Sequence, residues 1–368
     1  MDLRQIFNIQ QKEVCGLDIG SSAVKIVTLR RNGSEYKLTA AGICHVPANV
    51  QGNLSGENTG QHQNYTDITK VIHDCLALTS KKGISTKLAV CGVSGPEVAV
   101  RDFSFPPLPD EEVESAVSLE AELVCPFSAG QTTVDYQLLS HSEDRTKGIF
   151  VAATKMVITN KTQLAKATGL KCVVMDVDGL ALLNCFNNLA SDQEKTGAVI
   201  LNVGGSYTTL AILNKDGWPF IRDTVCAGND IIRQIAMAKD TTPEQLKMTL
   251  FGDSQENQIE IGSSLEIASE KLITGVSEAL RFYSTQEKSL PVNKIFVCGG
   301  FASAKGFVEI LSRRLGVEVF LWNPFDSVHC YIPKRYKNVC EKMGPAMAVA
   351  TGLAMRSIEG TDSRYHEQ

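Results

Sequence analysis

The alternation of apolar and polar positions predicts the same strand–turn–strand unit twice along the chain. Residues 14–29, VCGLDIGSSAVKIVTL, read as an apolar strand, a Gly-Ser-Ser turn and a second strand in which apolar positions alternate. Residues 198–213, AVILNVGGSYTTLAIL, repeat this pattern without a gap, half of the 368-residue chain further on. Two similar halves of this kind predict a duplicated α/β domain with a cleft between the halves.

The two turns carry residues that suit an anion and its counter-ion. They share an Asx residue, a glycine and a serine at matching positions: Asp18, Gly20 and Ser22 in the first turn, and Asn202, Gly204 and Ser206 in the second. Glycine lets backbone N–H groups converge on an anion, and small hydroxyls add donors without bulk. Asp18 can hold the waters around Mg²⁺, and Lys25 can reach a phosphate as a point charge. Either turn alone could equally be a plain β-turn, but their repetition in register favours two phosphate-binding turns.

A third glycine-bearing segment, residues 295–325, predicts a strand, a turn at Gly299 and Gly300, and a helix. The apolar positions of that helix recur at helical spacing, at Phe307, Ile310, Leu311 and Leu315. Glycines at a strand-to-helix turn can admit a flat ring or a sugar against the backbone. The glycine pair alone is equally typical of an ordinary βα loop, and its place after the two repeated turns is what connects it with them.

The same periodicity predicts a small inserted subdomain and a long helix. Pro109 and Asp110 begin a helix that ends at Pro126, and the strand TVDYQLL follows it. The apolar face of this helix consists of Val113, Val117, Ala121 and Val124. Residues 262–286 predict a long amphipathic helix, whereas the polar residues 49–67 predict an exposed connection.

Composition narrows the class of protein. The chain is 43% hydrophobic and 21% charged, which predicts a globular protein of two domains. A net charge of -5 without a basic stripe argues against broad nucleic-acid binding. Eleven cysteines without a CxxC pair predict reduced thiols, with neither disulfides nor structural zinc. The first residues lack the features of a signal peptide, so we expect a cytoplasmic protein.

These segments together resemble the superfamily of actin, sugar kinases and the 70-kDa heat-shock proteins. Within it, the chain most resembles the PilM family of type IV pilus assembly proteins, relatives of the division protein FtsA. The resemblance covers nearly the whole length and rests on GLDIGSSAVKIVTL, on FPPLPDEEVESAVSLEAELVCPFSAGQTTVDYQLL, on VVMDVDGLALLNCF, on EALRFYSTQ and on MGPAMAVATGLAMR. The second and last of these stretches are the more specific to PilM-like proteins.

The resemblance implies a fold class and a domain plan. The expected fold is α/β, with duplicated actin-like domains, each a ribonuclease-H-like sheet with flanking helices, around a nucleotide cleft, and with a small inserted α+β subdomain. The limits expected from it are a first domain at 1–95, an inserted 1C-type subdomain at 96–165, the rest of the first domain with a connecting helix at 166–196, a second domain at 197–338 with a 2B part near 236–275, and a C-terminal helix with a polar tail at 339–368.

The resemblance also implies ATP and Mg²⁺ as cofactors. It carries the nucleotide-binding role to Asp18, Gly20, Ser21, Ser22, Lys25, Asn202, Gly204, Gly205, Ser206, Lys247, Glu270, Gly299, Gly300 and Phe301. Asp18 and Asn202 would hold the metal through water. Lys247 enters because PilM-like proteins carry a lysine after an acidic helix start at this place, and Glu270 because a helix here flanks the base and ribose. Glu270 with Lys271 reads equally as a solvated charge pair.

One position departs from the superfamily pattern. The second turn usually carries aspartate where this chain has Asn202. Asparagine can still hydrogen-bond a metal-bound water but brings no negative charge, so we expect nucleotide binding to survive better than turnover. Asp178 stands where the superfamily often places an acid in its first connecting helix. The resemblance thus makes Asp178 the candidate catalytic residue, and a helix-start residue favoured by the dipole is an equal interpretation of it.

The expected partner is the N-terminal cytoplasmic tail of a PilN-like inner-membrane protein, which PilM-like proteins grip between the inserted subdomain and the first domain. Phe105 and Phe127 are guesses at that groove. Contact with pilus motor ATPases and self-association also follow from the resemblance, whereas contact with the membrane would be indirect only. The alternatives are an FtsA-like polymer-forming division protein, which the polar C-terminal tail disfavours, and an active ATPase or small-molecule kinase.

Overall fold

The computed structural model describes residues 13–32, 35–47, 61–79, 84, 86–141, 144–190, 197–252, 261–286, 288–326 and 330–359. The connection expected at 49–67 lies outside these residues up to residue 60, and from Gln61 onward the expectation is wrong because a helix begins there. The polar C-terminal tail lies outside them from residue 360. Among the described helices, none is long and apolar enough to cross a membrane.

The described residues form fourteen strands in three sheets. Their bounds are β1 Glu13–Ile19, β2 Ala23–Asn32, β3 Glu35–His45, β4 Leu88–Val93, β5 Val98–Phe105, β6 Thr132–His141, β7 Thr146–Thr154, β8 Lys171–Val177, β9 Ala198–Val203, β10 Thr208–Leu213, β11 Pro219–Thr224, β12 Lys294–Cys298, β13 Glu318–Leu321 and β14 Cys330–Tyr331. The predicted strands of both repeated units and the strand TVDYQLL are confirmed.

The two larger sheets have matching strand orders. The first runs β14-β3-β2-β1-β4-β8 and the second β11-β10-β9-β12-β13. In each sheet, three consecutive antiparallel strands come first along the chain: β1, β2 and β3 in one, and β9, β10 and β11 in the other. Two parallel strands then extend the sheet beyond the first strand of each set: β4 and β8 beyond β1, and β12 and β13 beyond β9. The pairing register repeats as well, because Asp18 faces Lys25 and Asn202 faces Thr209. The duplication expected from the sequence repeat is thereby present in the topology.

Ten helices are described among these residues. Their bounds are α1 Gln61–Thr79, α2 Asp110–Val124, α3 Lys155–Ala167, α4 Asp178–Leu189, α5 Gly228–Ala238, α6 Pro243–Phe251, α7 Gly262–Ser284, α8 Phe307–Leu315, α9 Lys337–Met343 and α10 Ala348–Glu359. The helices predicted at 262–286 and after Gly299 are confirmed as α7 and α8. Gly316 ends α8 with a left-handed φ of 70°, a conformation that glycine adopts without strain.

Two helices join the halves of the molecule. α4 follows β8 of the first sheet and packs against β9, β10 and β11 of the second. α10 packs on β1 so closely that a Cβ at Gly16 would lie 2.1 Å from the carbonyl oxygen of Ala350. It packs equally closely on α4, where a Cβ at Gly352 would lie 1.9 Å from the carbonyl oxygen of Ala181. Glycines at these positions therefore set the distance between the layers.

The inserted unit is a three-stranded sheet, β5-β7-β6, covered by α2. Val113, Val117 and Ala121 of α2 are buried against it, as the periodicity predicts. Val124 is 46% exposed, so its expected place in the buried face is wrong; it is the last residue of α2. The unit connects back to the first sheet through α3, which follows β7. The domain limits expected from the sequence stay a prediction.

Candidate functional site

The two repeated turns meet at one edge of the paired sheets. A Cβ at Gly205 would lie 2.0 Å from the hydroxyl oxygen of Ser22 and 2.8 Å from that of Ser21, so the turns are in direct contact. The Ser22 hydroxyl donates a hydrogen bond of 3.2 Å to the side-chain oxygen of Asn229, at the start of α5. Gly228 and Asn229 in turn donate backbone hydrogen bonds to the second turn. Residues from both halves of the chain therefore line one cleft.

The first turn is closed by the same backbone bond as the second. The amide of Gly20 donates to the carbonyl of Ala23 at 3.1 Å, and that of Gly204 donates to Tyr207 at 3.0 Å. Asp18, which is 7% exposed, forms an ion pair of 3.0 Å with Lys25 across the hairpin. Its Oδ1 lies toward the turn, 3.7 Å from where a Cβ of Gly20 would stand. The first turn therefore offers a carboxylate and an ammonium side by side.

The second turn has different chemistry at the equivalent places. Asn202 stands where the first turn has Asp18, and Thr209 where it has Lys25. The Thr209 hydroxyl donates to Asp223 at 2.6 Å, and the other carboxylate oxygen of Asp223 accepts the amide of Gly95 at 2.7 Å. Burial raises the pKa of Asp223, whereas these two hydrogen bonds lower it. The Gly95–Asp223 bond is a second link between the halves. Ser206 is partly exposed in this turn.

The glycine turn after β12 lies against the second repeated turn. A Cβ at Gly299 would lie 2.5 Å from Oδ1 of Asn202, and the φ of 97° at this position also requires glycine. Gly300 is open on the side where a side chain would project. Phe301 is only 2% exposed and packs edge to face with Phe307. The ring of Phe301 is therefore buried, and only the backbone of this residue could face a ligand.

Asp178 begins α4 and points back toward the first turn. Its Oδ2 accepts a hydrogen bond of 2.6 Å from Ser94, and its Oδ1 is buried without a hydrogen-bond partner. Burial, followed by the charge of Asp18, raises the pKa of Asp178 to about 7, while Ser94 and Lys161 lower it. The N-cap residue of α4 is Val177, whose side chain makes no capping hydrogen bond. The catalytic role and the helix-start role of Asp178 both stay predictions.

Three further side chains act on Asp178 and were not predicted from the sequence. The ammonium of Lys161 on α3 donates to the carbonyl oxygen of Ile19, the residue before the first glycine turn. The other two are Asp223 on β11 and Ser94, which directly follows β4, and both act on the carboxyl group of Asp178. Topology alone could have indicated Ser94, because β4 runs parallel to β1 and their carboxyl ends meet at the same edge of the sheet. Lys161 and Asp223 carry no such local signal.

Two predicted residues, Lys247 and Glu270, lie outside the three glycine-bearing turns. Partial burial and the charges of Lys247 and Lys25 lower the pKa of His45, so Lys247 lies across the cleft within electrostatic reach of the first half. Glu270 instead forms an ion pair of 2.6 Å with Arg314, in the last turn of α8 and at the opposite end of that helix from the glycine turn. The expected pair of Glu270 with Lys271 is thus replaced by one with Arg314.

The side-chain oxygens near the first turn suit a metal ion that is bound mainly through water and phosphate. In the described part of the chain, no three His, Cys, Asp or Glu side chains stand close enough to ligate an ion by themselves. Asp18 and the partnerless Oδ1 of Asp178 are oxygen ligands, which Mg²⁺ prefers, and this ion keeps several waters. Asp18, Asp178 and Asn202 are accordingly the residues that could hold the hydration shell of a magnesium ion.

Comparison with solved structures gives the same architecture. A PilM-PilN type IV pilus biogenesis complex matches with a TM-score of 0.78 and 23% identity, covering 94% of this chain and 98% of the other. The ethanolamine utilization protein EutJ from Carboxydothermus hydrogenoformans matches with a TM-score of 0.52 and 15% identity over 96% and 93% of the two chains. A diol dehydratase-reactivating factor in nucleotide-free form matches with a TM-score of 0.55 and 10% identity over 95% and 100%. The expected actin-like α/β fold is confirmed.

Comparison with family models identifies the family itself. The model for the type IV pilus assembly protein PilM matches residues 16–358, which include both repeated turns, the inserted unit and the glycine turn after β12. These are the segments on which the resemblance was based. The chain belongs to the PilM family of type IV pilus assembly proteins and has its actin-like fold.

Proposed function

We propose that the cleft binds ATP together with Mg²⁺ and that the protein serves as a nucleotide-loaded scaffold of a type IV pilus assembly machine. The observation that carries the proposal is the contact of the two equivalent turns, Gly205 against Ser22. Two lysines lie near it: Lys25 is paired with Asp18 in the first hairpin, and the charge of Lys247 acts on His45 of the first half. Glycine turns present backbone N–H groups to phosphates, and lysines neutralise their charge. Together these groups suit a polyphosphate that spans both halves.

All but one of the predicted nucleotide-binding residues have a task in this proposal. Ser21 and Ser22 donate hydroxyls from the first turn, and Gly204, Gly205 and Ser206 donate from the second. Gly300 leaves room for the adenosine, Gly299 lets this turn pack against Asn202, and only the backbone of Phe301 would contact the ligand. Asp18 and Asn202 would hold the waters of a bound Mg²⁺, which would supply positive charge to the phosphates. Glu270, engaged with Arg314 on the surface, takes no part.

Slow turnover is the expected consequence of the charges. Asp178, with its pKa of about 7, can accept a proton from water near neutral pH. Asn202, however, adds no negative charge beside the metal, and the charge of Lys161 lowers the pKa of Asp178, which makes Asp178 a weaker base. ATP would then act by holding the cleft closed, because a ligand that binds both halves stabilises the closed population.

Calorimetry of the purified protein with Mg²⁺-ATP tests this proposal, followed by single-turnover phosphate release on the same sample. We expect binding with negligible release, and a loss of affinity of about tenfold or more in Lys25→Ala, because a charged contact to phosphate is removed. Lys239→Ala, which removes an exposed lysine at the end of α5, serves as the control. Absence of ATP binding by the natural sequence, or unchanged affinity in Lys25→Ala, would exclude the proposed site, and rapid release would identify an ATPase.

A PilN-like protein is the proposed partner. The solved relative is a PilM-PilN complex, and the inserted unit here exposes apolar side chains that a monomer has little reason to expose: Leu119 at 59% and Leu123 at 73%, one turn apart on α2. Phe105 and Phe127 are partly buried in this unit, where Phe105 stacks on Phe103. The inserted unit would thus receive the cytoplasmic tail and keep the protein at the inner membrane from its cytoplasmic side.

Binding of a synthetic peptide with the PilN-like tail sequence tests the partner. We expect Leu119→Ser with Leu123→Ser to weaken it, because two exposed anchors are lost. Leu78→Ser, at an equally exposed leucine on α1, is the matched control. Equal binding by all three proteins would place the tail elsewhere, in the groove beside the first domain. The pilus motor ATPases and a second copy of the chain are further proposed partners for co-sedimentation.

A further inference from the structure

The inserted unit is attached to the first half through two chain segments that are bonded to each other. The chain enters the unit through residues 94–97, between β4 and β5, and leaves it at Thr154, the last residue of β7. The amide of Thr154 donates to the carbonyl oxygen of Glu97 at 3.1 Å, and its hydroxyl donates to the Glu97 carboxylate at 2.8 Å. We call residues 94–97 together with Thr154 the joint, because both connections of the unit meet there.

The second half contacts this joint with a residue of its own glycine turn. A Cβ at Gly95 would lie 2.9 Å from two atoms of the Tyr207 ring, and the φ of 96° at this position also requires glycine. The ring of Tyr207 therefore lies directly against the backbone of the joint. The carbonyl oxygen of Tyr207 closes the second turn by accepting the amide of Gly204 at 3.0 Å. Tyr207 thus belongs both to the turn and to the contact with the joint.

A carboxylate of the second half holds the same glycine. Asp223 on β11 accepts the amide of Gly95 at 2.7 Å on one oxygen and the hydroxyl of Thr209 at 2.6 Å on the other. Thr209 lies on β10, the strand that follows the second turn. The carbonyl oxygen of Gly95 in turn accepts the amide of Val98, the first residue of β5, at 3.1 Å. Direct contacts therefore connect the second turn and its strand to the first strand of the inserted unit.

We propose that Tyr207 and Asp223 are positioning residues that couple the second turn to the inserted unit. A polyphosphate that orders the second turn fixes Tyr207 against Gly95, and the joint then holds the inserted unit in one orientation. Coupling between two binding sites is reciprocal, so a partner on the inserted unit also strengthens binding of the nucleotide. The inference rests on the proposed nucleotide and partner sites and adds the residues that link them.

Amide hydrogen exchange of the full chain, without ligand and with saturating Mg²⁺-ATP, tests the coupling. The amides of Val98 and Thr154 report on the joint, because each donates to one of its carbonyl oxygens. We expect Mg²⁺-ATP to slow their exchange about fivefold or more in the natural sequence and in Tyr207→Phe, which keeps the ring. In Tyr207→Leu, which lacks the ring, the ligand should change their exchange by less than about twofold. The amide of Gly316, at the end of α8, is the internal control and should not respond.

A purely structural role of Tyr207 predicts a different result. Tyr207→Leu would then exchange faster both with and without Mg²⁺-ATP, the ligand would still slow the joint as in the natural sequence, and the proposal would be overturned. Should Tyr207→Leu fail to fold, Asp223→Asn is the second test, because asparagine has one acceptor oxygen where two carboxylate oxygens bind Gly95 and Thr209. We expect this variant to lose most of the slowing, and full slowing overturns the proposal.

The coupling and the proposed function fail in different ways. A chain that binds Mg²⁺-ATP in the calorimeter, but whose joint exchanges equally with and without the ligand, retains the proposed function and loses the coupling. Absence of Mg²⁺-ATP binding overturns the proposed function together with the coupling that rests on it.

Discussion

Asp178 shows how one carboxyl group takes its properties from three separate segments. Ser94 after β4 donates to it, Asp18 of the first hairpin repels it, and Lys161 of α3 attracts it. Burial is the largest of these effects, and with the charge of Asp18 it raises the pKa to about 7. A carboxyl group with this pKa is half ionised near pH 7, so its charge changes with small changes of pH around neutrality.

The first prediction concerns the pH dependence of stability. The folded state keeps a proton on Asp178 that the unfolded chain, with an ordinary pKa near 3.8, has already released. Stability contributed by this group is therefore lost as the pH rises from about 4 to 7, and Asp178→Asn abolishes that loss. Relative to the variant, the natural sequence should lose about 2–4 kcal/mol of unfolding free energy over this interval.

Urea unfolding at several pH values from 4 to 8 measures this difference. Asp102→Asn changes an exposed aspartate of β5 and should leave the pH profile as it is. Parallel profiles for the natural sequence and Asp178→Asn would mean that Asp178 is ionised as easily in the folded chain as in the unfolded one.

At the scale of elements, the periodicity of the sequence predicts most helices and strands, but it does not show how they pack against one another. The repeated hairpins, α2, α7 and α8 follow from apolar spacing and from glycines that the turns need. The start of α1 was missed because its first residues, QHQNYTD, are polar and resemble a loop. Val124 fits the apolar face of α2 by spacing, but it is 46% exposed at the last residue of the helix, and spacing alone does not show where a helix ends.

The second prediction concerns the contact of α10 with α4. A methyl group at Gly352 would collide with the backbone of α4, 1.9 Å from the carbonyl oxygen of Ala181. Gly352→Ala should therefore lower the unfolding free energy by about 1–3 kcal/mol or more, although alanine favours helix. Gly262→Ala, at the start of α7 with nothing within 4 Å of the new methyl group, should be neutral or stabilising. Thermal unfolding of the two variants compares them directly, and equal melting temperatures would show that α10 can move away without cost.

At the scale of the whole molecule, the site exists only because the two halves meet. Asp18 and Gly205 are far apart in sequence, yet their turns face each other, and Gly95–Asp223 and Ser22–Asn229 join the halves on either side. The repeat predicted that there are two turns and a cleft between them. It could not predict the bridging residues, because Ser94, Lys161 and Asp223 reach the cleft from segments whose own patterns show only a strand end or a helix surface.

The third prediction concerns closure of the cleft. Gly205 has no left-handed φ, so alanine fits its backbone, but the new methyl group would lie 2.0 Å from the hydroxyl of Ser22. Gly205→Ala should therefore push the turns apart and weaken the Gly95–Asp223 bridge. Amide hydrogen exchange should rise severalfold at Gly95 and in residues 20–22, since opening of a single hydrogen-bonded link costs about 1 kcal/mol.

A second-site change distinguishes this collision from general damage. Ser22→Gly removes the obstructing side chain, so the double variant with Gly205→Ala should close again and recover slow exchange at Gly95. Gly130→Ala, where the methyl group would meet nothing within 4 Å, should exchange like the natural sequence. If the double variant stays as open as Gly205→Ala alone, the opening comes from general damage to the second turn and not from a collision with Ser22.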